Sequence, residues 1–377
     1  MLIGIDASRA VATQRTGTEN YSLYLIRALL GIGTGHRWRL YTRDAPAADL
    51  FEPQEHFEWR VMPFPRLWTH GRLAWETWRR PPDVLFVPAH VLPWTYGVAS
   101  GTRRSVVTVH DLGYLHYPQA HTILSRIYLD LTTRMNVRVA ARVIVDSMAT
   151  QRDLVECYGA AEEKLVLAYP AGRPGFGPVT DAATLHQMQT RYGTGPRYFL
   201  YIGSLHPRKN LMLLLRAFAS LVKRGMLEDD VRLVLVGRRG WLYDEILAEA
   251  SQPLLRDRVV LPGFVPDEDL PALLSGALAF VLPSLYEGFG LPVLEAMACE
   301  VPVICSRVSS LPEVAGDAAL LIDPHDQESL SQAMARILRE PELRQELVRR
   351  GRKQVTRFSW EACARIVLAT LEEVGRG

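Results

Sequence analysis

The chain contains 377 residues, more than one hydrophobic core ordinarily supports, so its length predicts two or more domains. Hydrophobic residues make up 48% of the sequence and charged residues 22%, which is the usual balance of a soluble globular protein. The formal net charge of +2 gives no reason to expect a nucleic-acid partner.

Cysteine usage and the start of the sequence predict a cytoplasmic protein. The cysteines are scattered, with neither a C-x-x-C pair nor a metal-binding spacing, which favours reduced thiols. They are Cys157, Cys299, Cys305 and Cys363. The sequence MLIGIDASRA begins with a strand-like run and lacks the basic and apolar regions of a signal peptide. No apolar stretch reaches the roughly 18 residues that a membrane span needs.

In the first half, short apolar runs rich in β-branched residues alternate with longer helical patterns. This alternation predicts a parallel sheet built from βαβ units, and the runs are apolar throughout, as expected of strands covered on both faces. Helices are predicted at Glu19–Leu30 and Leu124–Ala141. Strands are predicted at Leu2–Ile5, Trp38–Tyr41, Phe57–Val61, Val84–Phe86, Ser105–Val109, Val143–Asp146 and Leu165–Leu167.

The second half repeats the scheme after a connection rich in proline and glycine, Pro170–Arg197, which contains a predicted helix near Thr180–Tyr192. We therefore predict an α/β protein with one doubly wound domain at residues 1–177 and a second at 178–357. Ligands of such sheets bind at the carboxyl ends of the strands, so two domains facing each other would share a cleft. The second set of strands is predicted at Tyr198–Ile202, Val231–Val236, Val259–Leu261, Ala279–Leu282, Val301–Cys305 and Ala319–Ile322.

The stretch LYEGFGLPVLEAMACEVPVI, residues 285–304, places two glutamates around a glycine-flanked turn. The turn leads into a helix with Pro292 in its first turn, where a missing N–H costs nothing. Glu287 lies in the turn, and Glu295 lies about one turn inside the helix. The unpaired amides at the helix start predict an anion site. They belong to Phe289, Gly290 and Leu291. For Glu295 alone, an acid favoured by the helix dipole is the alternative interpretation.

The segment YIGSLHPRKNLMLLLRAF, residues 201–218, places two cations after a predicted strand. The strand ends at Gly203, and an apolar helix begins at about Asn210. Arg208 and Lys209 lie in the loop between them, where they could bind a diphosphate, the arginine with bidentate geometry and the lysine as a point charge. A solvated loop with ordinary surface charge is the alternative.

Two further positions in the first half are candidates. In RTGTENYSLYLIRALL, Gly17 lies in a polar loop before the helix that starts near Glu19, which is a plausible phosphate-facing helix start and also a common N-cap pattern. In SVVTVHDLGYLHYP, His110 follows a strand and precedes Asp111. A functional and a structural role for His110 are equally consistent with this placement.

Two motifs match a known pattern but fail on context. Residues 267–269, DED, have the D-x-D spacing of a metal site, yet they directly precede LPALLSGA, where acidic residues favour a helix N-terminus. Residues 31–35, GIGTG, resemble a dinucleotide fingerprint but end a helix instead of linking a strand to one. We assign neither motif a function.

Residues 59–104 are rich in tryptophan and arginine. Rings beside cations suit sugar stacking, contact with an anionic lipid surface, or core packing with a wet rim, and the sequence does not separate these. The tryptophans are Trp59, Trp68, Trp75, Trp78 and Trp94. The arginines are Arg60, Arg66, Arg72, Arg79, Arg80, Arg103 and Arg104.

Several of these segments together resemble the retaining GT-B glycosyltransferases of family 4, most closely their bacterial mannosyltransferase-like branch. They are the Glu-x7-Glu stretch, GSLHPRKN, VHDL, VDSMATQRDLVECYGAAEEKLVLAYPAG and RFSWE. The resemblance covers nearly the whole chain. It implies two Rossmann-like domains facing across a cleft, an acceptor-side domain at 1–177 and a nucleotide-sugar-binding domain at 178–357, with a helix at 358–377 crossing back to the N-terminal domain.

The resemblance also implies a role for each candidate residue. Glu295 would bind the ribose hydroxyls, and Glu287 would lie beside the donor sugar. His110 would lie near the reacting face of that sugar, so His110 and Glu287 are the predicted catalytic residues. The predicted substrate-binding residues are Gly17, Arg208, Lys209, Gly237, Val265, Phe289, Gly290, Leu291 and Glu295, of which Gly237 and Val265 would adjoin the nucleobase. Relatives often have arginine where Ser204 stands, so Arg208 is expected to supply the missing charge.

The implied reaction is transfer of a hexose to a glycan or lipid-linked glycan, with retention of configuration, in polysaccharide biosynthesis. GDP-mannose is the expected donor. No cofactor and no metal are expected, because Lys209 and Arg208 would supply the counter-charge. Besides the cytoplasm, a peripheral position on the inner face of the cell membrane is expected if residues 59–104 contact lipid. Two alternatives stay open, a GT-B nucleotide-sugar epimerase and a catalytically idle sugar- or lipid-binding module.

Overall fold

The structure is a computed structural model that describes residues 1–13, 15–33, 35–52, 56–89, 91–98, 104–120, 122–238, 240 and 243–376. Within these residues the strands, in chain order, are β1 Leu2–Asp6, β2 Arg37–Thr42, β3 Phe57–Val61, β4 Val84–Val87, β5 Ser105–Val109, β6 Arg142–Val145, β7 Leu165–Leu167, β8 Arg197–Ile202, β9 Val231–Val236, β10 Val259–Gly263, β11 Ala279–Leu282, β12 Val303–Ser306 and β13 Ala319–Ile322.

The α-helices of the same residues are α1 Gly17–Gly31, α2 Ala74–Arg79, α3 Thr95–Val98, α4 Gly113–His116, α5 Ile123–Val139, α6 Met148–Tyr158, α7 Ala182–Tyr192, α8 Leu211–Lys223, α9 Tyr243–Ala250, α10 Leu270–Ser275, α11 Leu291–Ala298, α12 Leu311–Ala315, α13 Gln327–Arg339, α14 Pro341–Val355 and α15 Trp360–Arg376. A π-helical turn, Thr69–Leu73, precedes α2 directly. Among the described residues, no helix combines the length and apolar character that crossing a bilayer requires.

The first unit comprises residues 1–115, 121–171 and 358–377. Its sheet has the strand order β3-β2-β1-β4-β5-β6-β7, and every pair in it is parallel. Strands β4 and β5 are buried along their whole length, because helices cover both faces of the sheet. The strand order reverses between β1 and β4, which is the switch point of a doubly wound sheet.

The last helix, α15, belongs to this first unit. The ring of Trp360 lies 5.9 Å from that of Tyr21 and 5.8 Å from that of Tyr24, both on α1. Farther along, Cys363 and Val367 are buried in the core beneath α1. The helix that the family resemblance implies at 358–377 therefore closes the core of the N-terminal sheet.

The second unit comprises residues 116–120 and 172–357. Its sheet has the order β10-β9-β8-β11-β12-β13 and is also parallel throughout, with a switch point between β8 and β11. The predicted pair of parallel-sheet domains is confirmed, and the predicted strands agree with the observed ones to within about two residues.

The unit boundary lies at Ala171/Gly172, a few residues before the division after residue 177 that the sequence suggested. Residues 172–177 join the second unit because the side chain of Arg173 pairs there with Glu295. The short segment 116–120 joins it as well. The ring of His116 stacks on Tyr286, with centroids 4.7 Å apart, and the hydroxyl of Tyr117 donates to the carbonyl of Leu285 at 3.1 Å.

Glycines lie directly after strands β8 and β9 and at the end of β10, and they let the carboxyl ends of these strands approach closely. Gly237, with φ +154°, follows β9, and its N–H donates to the carbonyl of Gly263 at 2.9 Å. A Cβ at Gly237 would lie 1.7 Å from the carbonyl oxygen of Gly203, which no side chain could tolerate. This edge of the second sheet is therefore lined by backbone.

Candidate active site

The switch point of the second sheet brings the two charged loops predicted from sequence together. The loop after β8 contains Arg208 and Lys209, and the loop after β11 contains Glu287. Because β8 and β11 are neighbouring parallel strands, both loops emerge at the same edge of the sheet. The N–H of Leu285 donates to the carbonyl of Arg208 at 2.9 Å, which joins the loops through their backbones.

Lys209 and Glu287 form an ion pair at this edge. Nζ of Lys209 lies 2.5 Å from Oε1 of Glu287, and the two side chains are only 14% and 9% exposed. The hydroxyl of Ser284 donates to the same carboxylate oxygen at 2.6 Å. Burial raises the pKa of Glu287, but the charges of Lys209 and Arg208 and these hydrogen bonds outweigh it, so the net pKa is lowered. Glu287 is therefore an anion held between cations.

Two serines fix the loop that contains Glu287. The hydroxyl of Ser309 accepts from the N–H of Glu287 at 2.9 Å. The hydroxyl of Ser310 lies 2.9 Å from the carbonyl oxygen of Glu287 and 2.8 Å from that of Phe289. Ser310 is fully buried, and both serines follow strand β12. Neither serine was predicted from the sequence, because a serine pair has no signature that distinguishes it from ordinary loop serines.

The cationic loop is fixed from the other side. Nδ2 of Asn210 donates to the carbonyls of Pro283, at 3.1 Å, and Pro324, at 2.8 Å. Asn210 adopts the left-handed conformation, with φ 58°, at the start of α8. Nη1 of Arg208 donates to the carbonyl of Tyr286 at 3.1 Å. These bonds fix the loop that contains Arg208 and Lys209 against residues 283–286, which precede Glu287.

The glycine-flanked turn ends at a helix, as the sequence predicts. Helix α11 begins at Leu291 with Pro292 in its first turn, and Gly290 precedes it with φ +105°. A Cβ at Gly290 would lie 2.7 Å from Cδ2 of Leu311, so glycine is required on both steric and conformational grounds. Phe289 is buried. The backbone amides of residues 289–291 thus lie at the start of α11, and they follow Glu287 closely in the sequence.

Glu295 lies in α11 and is paired with an arginine that the sequence analysis missed. Nε and Nη2 of Arg173 donate to its two carboxylate oxygens at 2.7 and 2.9 Å. Nη1 of the same guanidinium donates to Asp267 at 2.8 Å. Arg173 and Glu295 lie more than a hundred positions apart, so no local pattern in the sequence links them. The only feature that marked Arg173 in the sequence is its position in the proline- and glycine-rich connection.

The two positions predicted for a nucleobase lie at the ends of neighbouring strands. Gly237 follows β9, and Val265 follows β10 and is buried. Next to them in sequence, the guanidinium of Arg238 lies over the ring of Phe264, 4.7 Å from its centroid, and Phe264 is 57% exposed. The carboxyl ends of β9 and β10 therefore combine the backbone of a glycine, Gly237, with the exposed aromatic ring of Phe264.

In the first unit, Gly17 occupies the first position of α1. A Cβ there would meet nothing within 4 Å. The start of the helix is capped by Glu19, whose Oε2 accepts from the N–H of Thr16 at 3.0 Å. Burial raises the pKa of Glu19, but its bonds to Thr16 and the charge of Arg9 outweigh burial, so the pKa is lowered. The helix begins two residues earlier than predicted, and an acidic group already lies at its N-terminus.

His110 follows β5 in the first unit and is buried with both ring nitrogens engaged. Nδ1 lies 2.5 Å from Oδ2 of Asp146, and Nε2 lies 2.9 Å from the carbonyl oxygen of Pro88. The carbonyl of Pro88 can only accept, so Nε2 donates to it, and Nδ1 shares a proton with the Asp146 carboxyl. Burial lowers the pKa of His110, but Asp146 and the Pro88 carbonyl outweigh it and raise the pKa overall. The sequence analysis did not single out Asp146.

The second unit thus brings Arg208, Lys209, Glu287 and residues 289–291 to one edge of a sheet. Gly17 and His110 belong to the first unit. The D-x-D match is also explained, since Asp267 pairs with Arg173, and Asp269 pairs with Arg191 at 2.9 Å. Both interactions are with arginine.

The tryptophan- and arginine-rich segment has two parts. Trp59 stacks on Phe51, with centroids 5.5 Å apart, and Trp68 is buried with its Nε1 donating to the carbonyl of Met62 at 2.9 Å. Trp75, Trp78 and Trp94 are 48%, 60% and 58% exposed. Arg103 lies outside the described residues. Packing therefore accounts for the first two tryptophans and leaves the other three unexplained.

One exposed tryptophan, Trp94, is linked through His70 to a helix with an apolar outer face. On α5, Ile123, Ile127 and Leu131 recur every four residues and are 72%, 52% and 60% exposed. His70 connects this helix to Trp94, since its Nε2 lies 3.0 Å from the hydroxyl of Tyr128 and its carbonyl accepts from Nε1 of Trp94 at 2.7 Å. We call these exposed side chains the apolar surface of the first unit. Its members are Trp75, Trp78, Trp94, Ile123, Leu124, Ile127 and Leu131.

Comparison with known proteins places both units in one family. A family model described as "Glycosyltransferase Family 4" matches residues 15–171, and one described as "Glycosyl transferases group 1" matches residues 185–354. The O-antigen chain mannosyltransferase B of Escherichia coli is 36% identical over 263 residues, 69% of this chain and 68% of that protein. The serotype-specific mannosyltransferase WbdA of Escherichia coli is 30% identical over 292 residues, 75% of this chain but only 34% of that protein.

The solved structures agree on the fold. The sucrose-phosphate synthase of Thermosynechococcus elongatus superposes with a TM-score of 0.78 at 24% identity, and the match covers 99% of both chains. At that identity the likeness concerns the fold alone. With both family models matched and a relative aligned over two thirds of its length, the chain belongs to the GT-B glycosyltransferases of family 4.

Proposed function

We propose that this chain is a retaining mannosyltransferase, which uses GDP-mannose and extends a glycan or lipid-linked glycan in polysaccharide biosynthesis. The identity of the sugar is inferred from relatives whose names describe mannosyltransferases. The observation that supports the proposal most directly is the Lys209–Glu287 pair at the switch point of the second sheet, because it places a cation for a diphosphate beside an anion for a sugar.

The residues around this pair fit the parts of such a donor. Glu295 would accept the ribose hydroxyls, and the base would lie near Gly237 and Val265. The diphosphate would be bound by Lys209, by Arg208 and by the backbone amides of Phe289, Gly290 and Leu291. A helix start and two cations together favour an anionic ligand. From the first unit, Gly17 would face the phosphates and His110 would lie near the sugar.

Retention follows if the acceptor attacks from the face that the leaving group vacates. The bond between the anomeric carbon and the diphosphate oxygen breaks, the acceptor hydroxyl forms the new bond on the same face, and its proton passes to a phosphate oxygen. The protein's contribution is electrostatic stabilisation of the charge that develops on the diphosphate. Glu287 would stabilise the positive charge that develops on the sugar and keep Lys209 in place. With two cations at the leaving group, we expect no metal requirement.

The acceptor side of the proposal includes a peripheral contact with the membrane. The apolar surface of the first unit joins tryptophans to cations, since the guanidinium of Arg72 lies 4.9 Å and that of Arg79 lies 5.5 Å from the ring centroid of Trp75. Aromatic rings, aliphatic side chains and arginines together suit the surface of an anionic bilayer. A second copy of this chain suits it less well, because symmetric association would bring arginines against arginines.

A ligand screen followed by product analysis tests the proposal. Melting curves with GDP, UDP, ADP and their mannose and glucose conjugates should show the largest stabilisation with GDP and GDP-mannose. Incubation with GDP-mannose and an O-antigen-type oligosaccharide, with and without EDTA, should then give an α-linked mannoside by NMR. A β-linked product would refute retention, an epimerised donor without acceptor would identify an epimerase, and an unaltered donor under all conditions would identify a binding module.

A further inference from the structure

Arg173 forms a bidentate ion pair with the carboxylate of Glu295. Its Nε and Nη2 bond to the two oxygens of Glu295 at 2.7 and 2.9 Å, and the side chains are 11% and 4% exposed. Such parallel bonds fix the plane of the carboxylate as well as its position. Leaving a carboxylate this deeply buried without a counter-charge would be strongly unfavourable.

Arg173 has two further partners besides Glu295, which are Asp267 and Phe176. Nη1 donates to Asp267 at 2.8 Å, and the guanidinium lies 4.4 Å from the centroid of the Phe176 ring. Burial lowers the pKa of Arg173, but the bonds to Glu295 and Asp267 outweigh it and raise the pKa, so the guanidinium remains charged. A cation with this many partners is a fixed part of the second unit.

The bidentate bond leaves acceptor capacity on Glu295. An ionised carboxylate offers about four lone-pair sites, and two N–H groups use one on each oxygen. Each oxygen of Glu295 therefore retains a site for one further donor. Two vicinal hydroxyls are the kind of group that would use one site on each oxygen.

We propose that Arg173 is a positioning residue for the donor, which fixes Glu295 so that its two oxygens accept the 2′- and 3′-hydroxyls of the ribose. This inference rests on the proposed function, since it assumes a ribonucleotide donor at Glu295. Because Arg173 acts through Glu295, its removal should weaken recognition of the ribose more than the chemical step. The opposite possibility is that the guanidinium occupies the place of the ribose and must leave. The number of contacts around Arg173 argues against that, and the experiment separates the two.

The experiment measures binding of GDP, UDP and ADP, each beside its 2′-deoxy counterpart, by isothermal titration calorimetry. The variants are Arg173→Gln, Arg173→Lys and Glu295→Gln. Arg224→Gln is the matched control, because Arg224 makes a similar bidentate pair with Glu328, at 3.0 and 2.7 Å, on the exposed surface of the same unit. Melting curves without ligand establish that each variant is folded, and steady-state kinetics give KM and kcat for GDP-mannose.

For Arg173→Gln we expect about tenfold weaker binding of the ribonucleotide, the scale of one hydrogen bond to a charged group. Binding of the 2′-deoxynucleotide should change less, so that discrimination between the two shrinks. KM should rise with kcat within about threefold of wild type. Arg173→Lys should restore part of the affinity, since lysine returns the charge but not the bidentate geometry. The control should bind both nucleotides like the wild type.

Each other outcome overturns a specific statement. Unchanged discrimination in Arg173→Gln, together with its loss in Glu295→Gln, would refute the role of Arg173 and leave the ribose assignment intact. Tighter binding in Arg173→Gln would make the arginine a competitor of the ribose. Unchanged discrimination in Glu295→Gln would refute the ribose assignment of Glu295 and this inference with it, whereas a wild type that binds none of the nucleotides would refute the proposed function.

Discussion

Nζ of Lys209 and Oε1 of Glu287 lie 2.5 Å apart, so the cation assigned to the diphosphate and the anion assigned to the sugar are bonded to each other. A pair of this kind is preorganised, because each charge holds the other in place before any ligand arrives. An ammonium has three donors, so a bond to Glu287 is compatible with a bond to phosphate. The two residues are therefore expected to act together, and their variants to differ in which step they affect.

Lys209→Ala removes the cation that we propose to bind the leaving group. We expect kcat for mannosyl transfer to fall by about 10²–10³, the usual effect of losing one preorganised donor at developing charge. The control is Lys223→Ala at the exposed end of α8, which should transfer like the wild type. Steady-state kinetics on both variants decide the matter, and near-wild-type transfer by Lys209→Ala would remove the lysine from the mechanism.

Glu287→Ala should separate nucleotide binding from transfer. It removes a buried anion between Lys209 and Arg208, and the phosphates of a nucleotide can neutralise both cations in its place. We expect a loss of transfer of about 100-fold or more, with the dissociation constant of GDP changed by less than about threefold. Glu287→Gln, which keeps the size of the side chain, should behave alike. Calorimetry showing that GDP binding falls as far as transfer would contradict the assignment of Glu287 to the sugar.

A pair of residues in this site could be predicted from the sequence when each partner is marked by a local pattern of its own. Lys209 and Glu287 lie 78 positions apart, yet each is marked locally, by a cationic loop after one strand and a glycine-flanked turn after another. The parallel-sheet pattern then predicts that both loops share an edge, because neighbouring strands end together. Gly290 is predictable for a similar reason, since a helix start after a tight turn requires a backbone that glycine adopts.

The partners that fix these groups could not be predicted from one sequence. Arg173 reaches Glu295 across 122 positions, and Asp146 reaches His110 across 36, and no local sequence pattern links the members of either pair. Ser309 and Ser310 depend on the way in which the loop after β12 folds over the Glu287 turn. The strands and helices of a doubly wound fold follow from periodicity, whereas such side-chain pairs depend on tertiary packing that periodicity does not encode.

The His110–Asp146 pair predicts a stability that falls as the pH rises. The pKa of His110 is raised above its unfolded value of about 6.5, because Asp146 and the Pro88 carbonyl outweigh burial. Burial also raises the pKa of Asp146, so both groups bind protons more readily in the folded state. The stabilisation that His110 contributes is therefore complete below about pH 6.5 and is lost as the pH rises through the raised pKa of His110.

Urea unfolding of the wild type between about pH 6 and pH 9 measures this dependence. In Asp146→Asn the imidazole loses the charge that raises its pKa while burial remains, so the slope of stability against pH should shrink or reverse. His186→Asn, at an exposed position of α7, is the control and should keep the wild-type slope. An identical slope in the wild type and Asp146→Asn would show that the pair does not bind the proton.

The apolar surface of the first unit predicts selective binding to anionic membranes. In the double variant Ile127→Ser and Leu131→Ser, two exposed aliphatic side chains are lost from α5. Full burial of one such side chain contributes about 1.5–3 kcal/mol, so partial burial of two should be worth tenfold or more in binding. Co-sedimentation with vesicles of phosphatidylglycerol and phosphatidylcholine measures this, and vesicles of phosphatidylcholine alone should bind the wild type weakly.

The matched control is Ile366→Ser, which removes an equally large side chain that is 41% exposed on α15 of the same unit. It should bind vesicles like the wild type. Added salt should weaken binding, because Arg79 beside Trp75 is exposed and its charge is screened. Wild-type binding by the double variant would exclude a lipid contact at α5. Sedimentation showing a dimer in the wild type and a monomer in the double variant would instead assign this surface to a second copy of the chain.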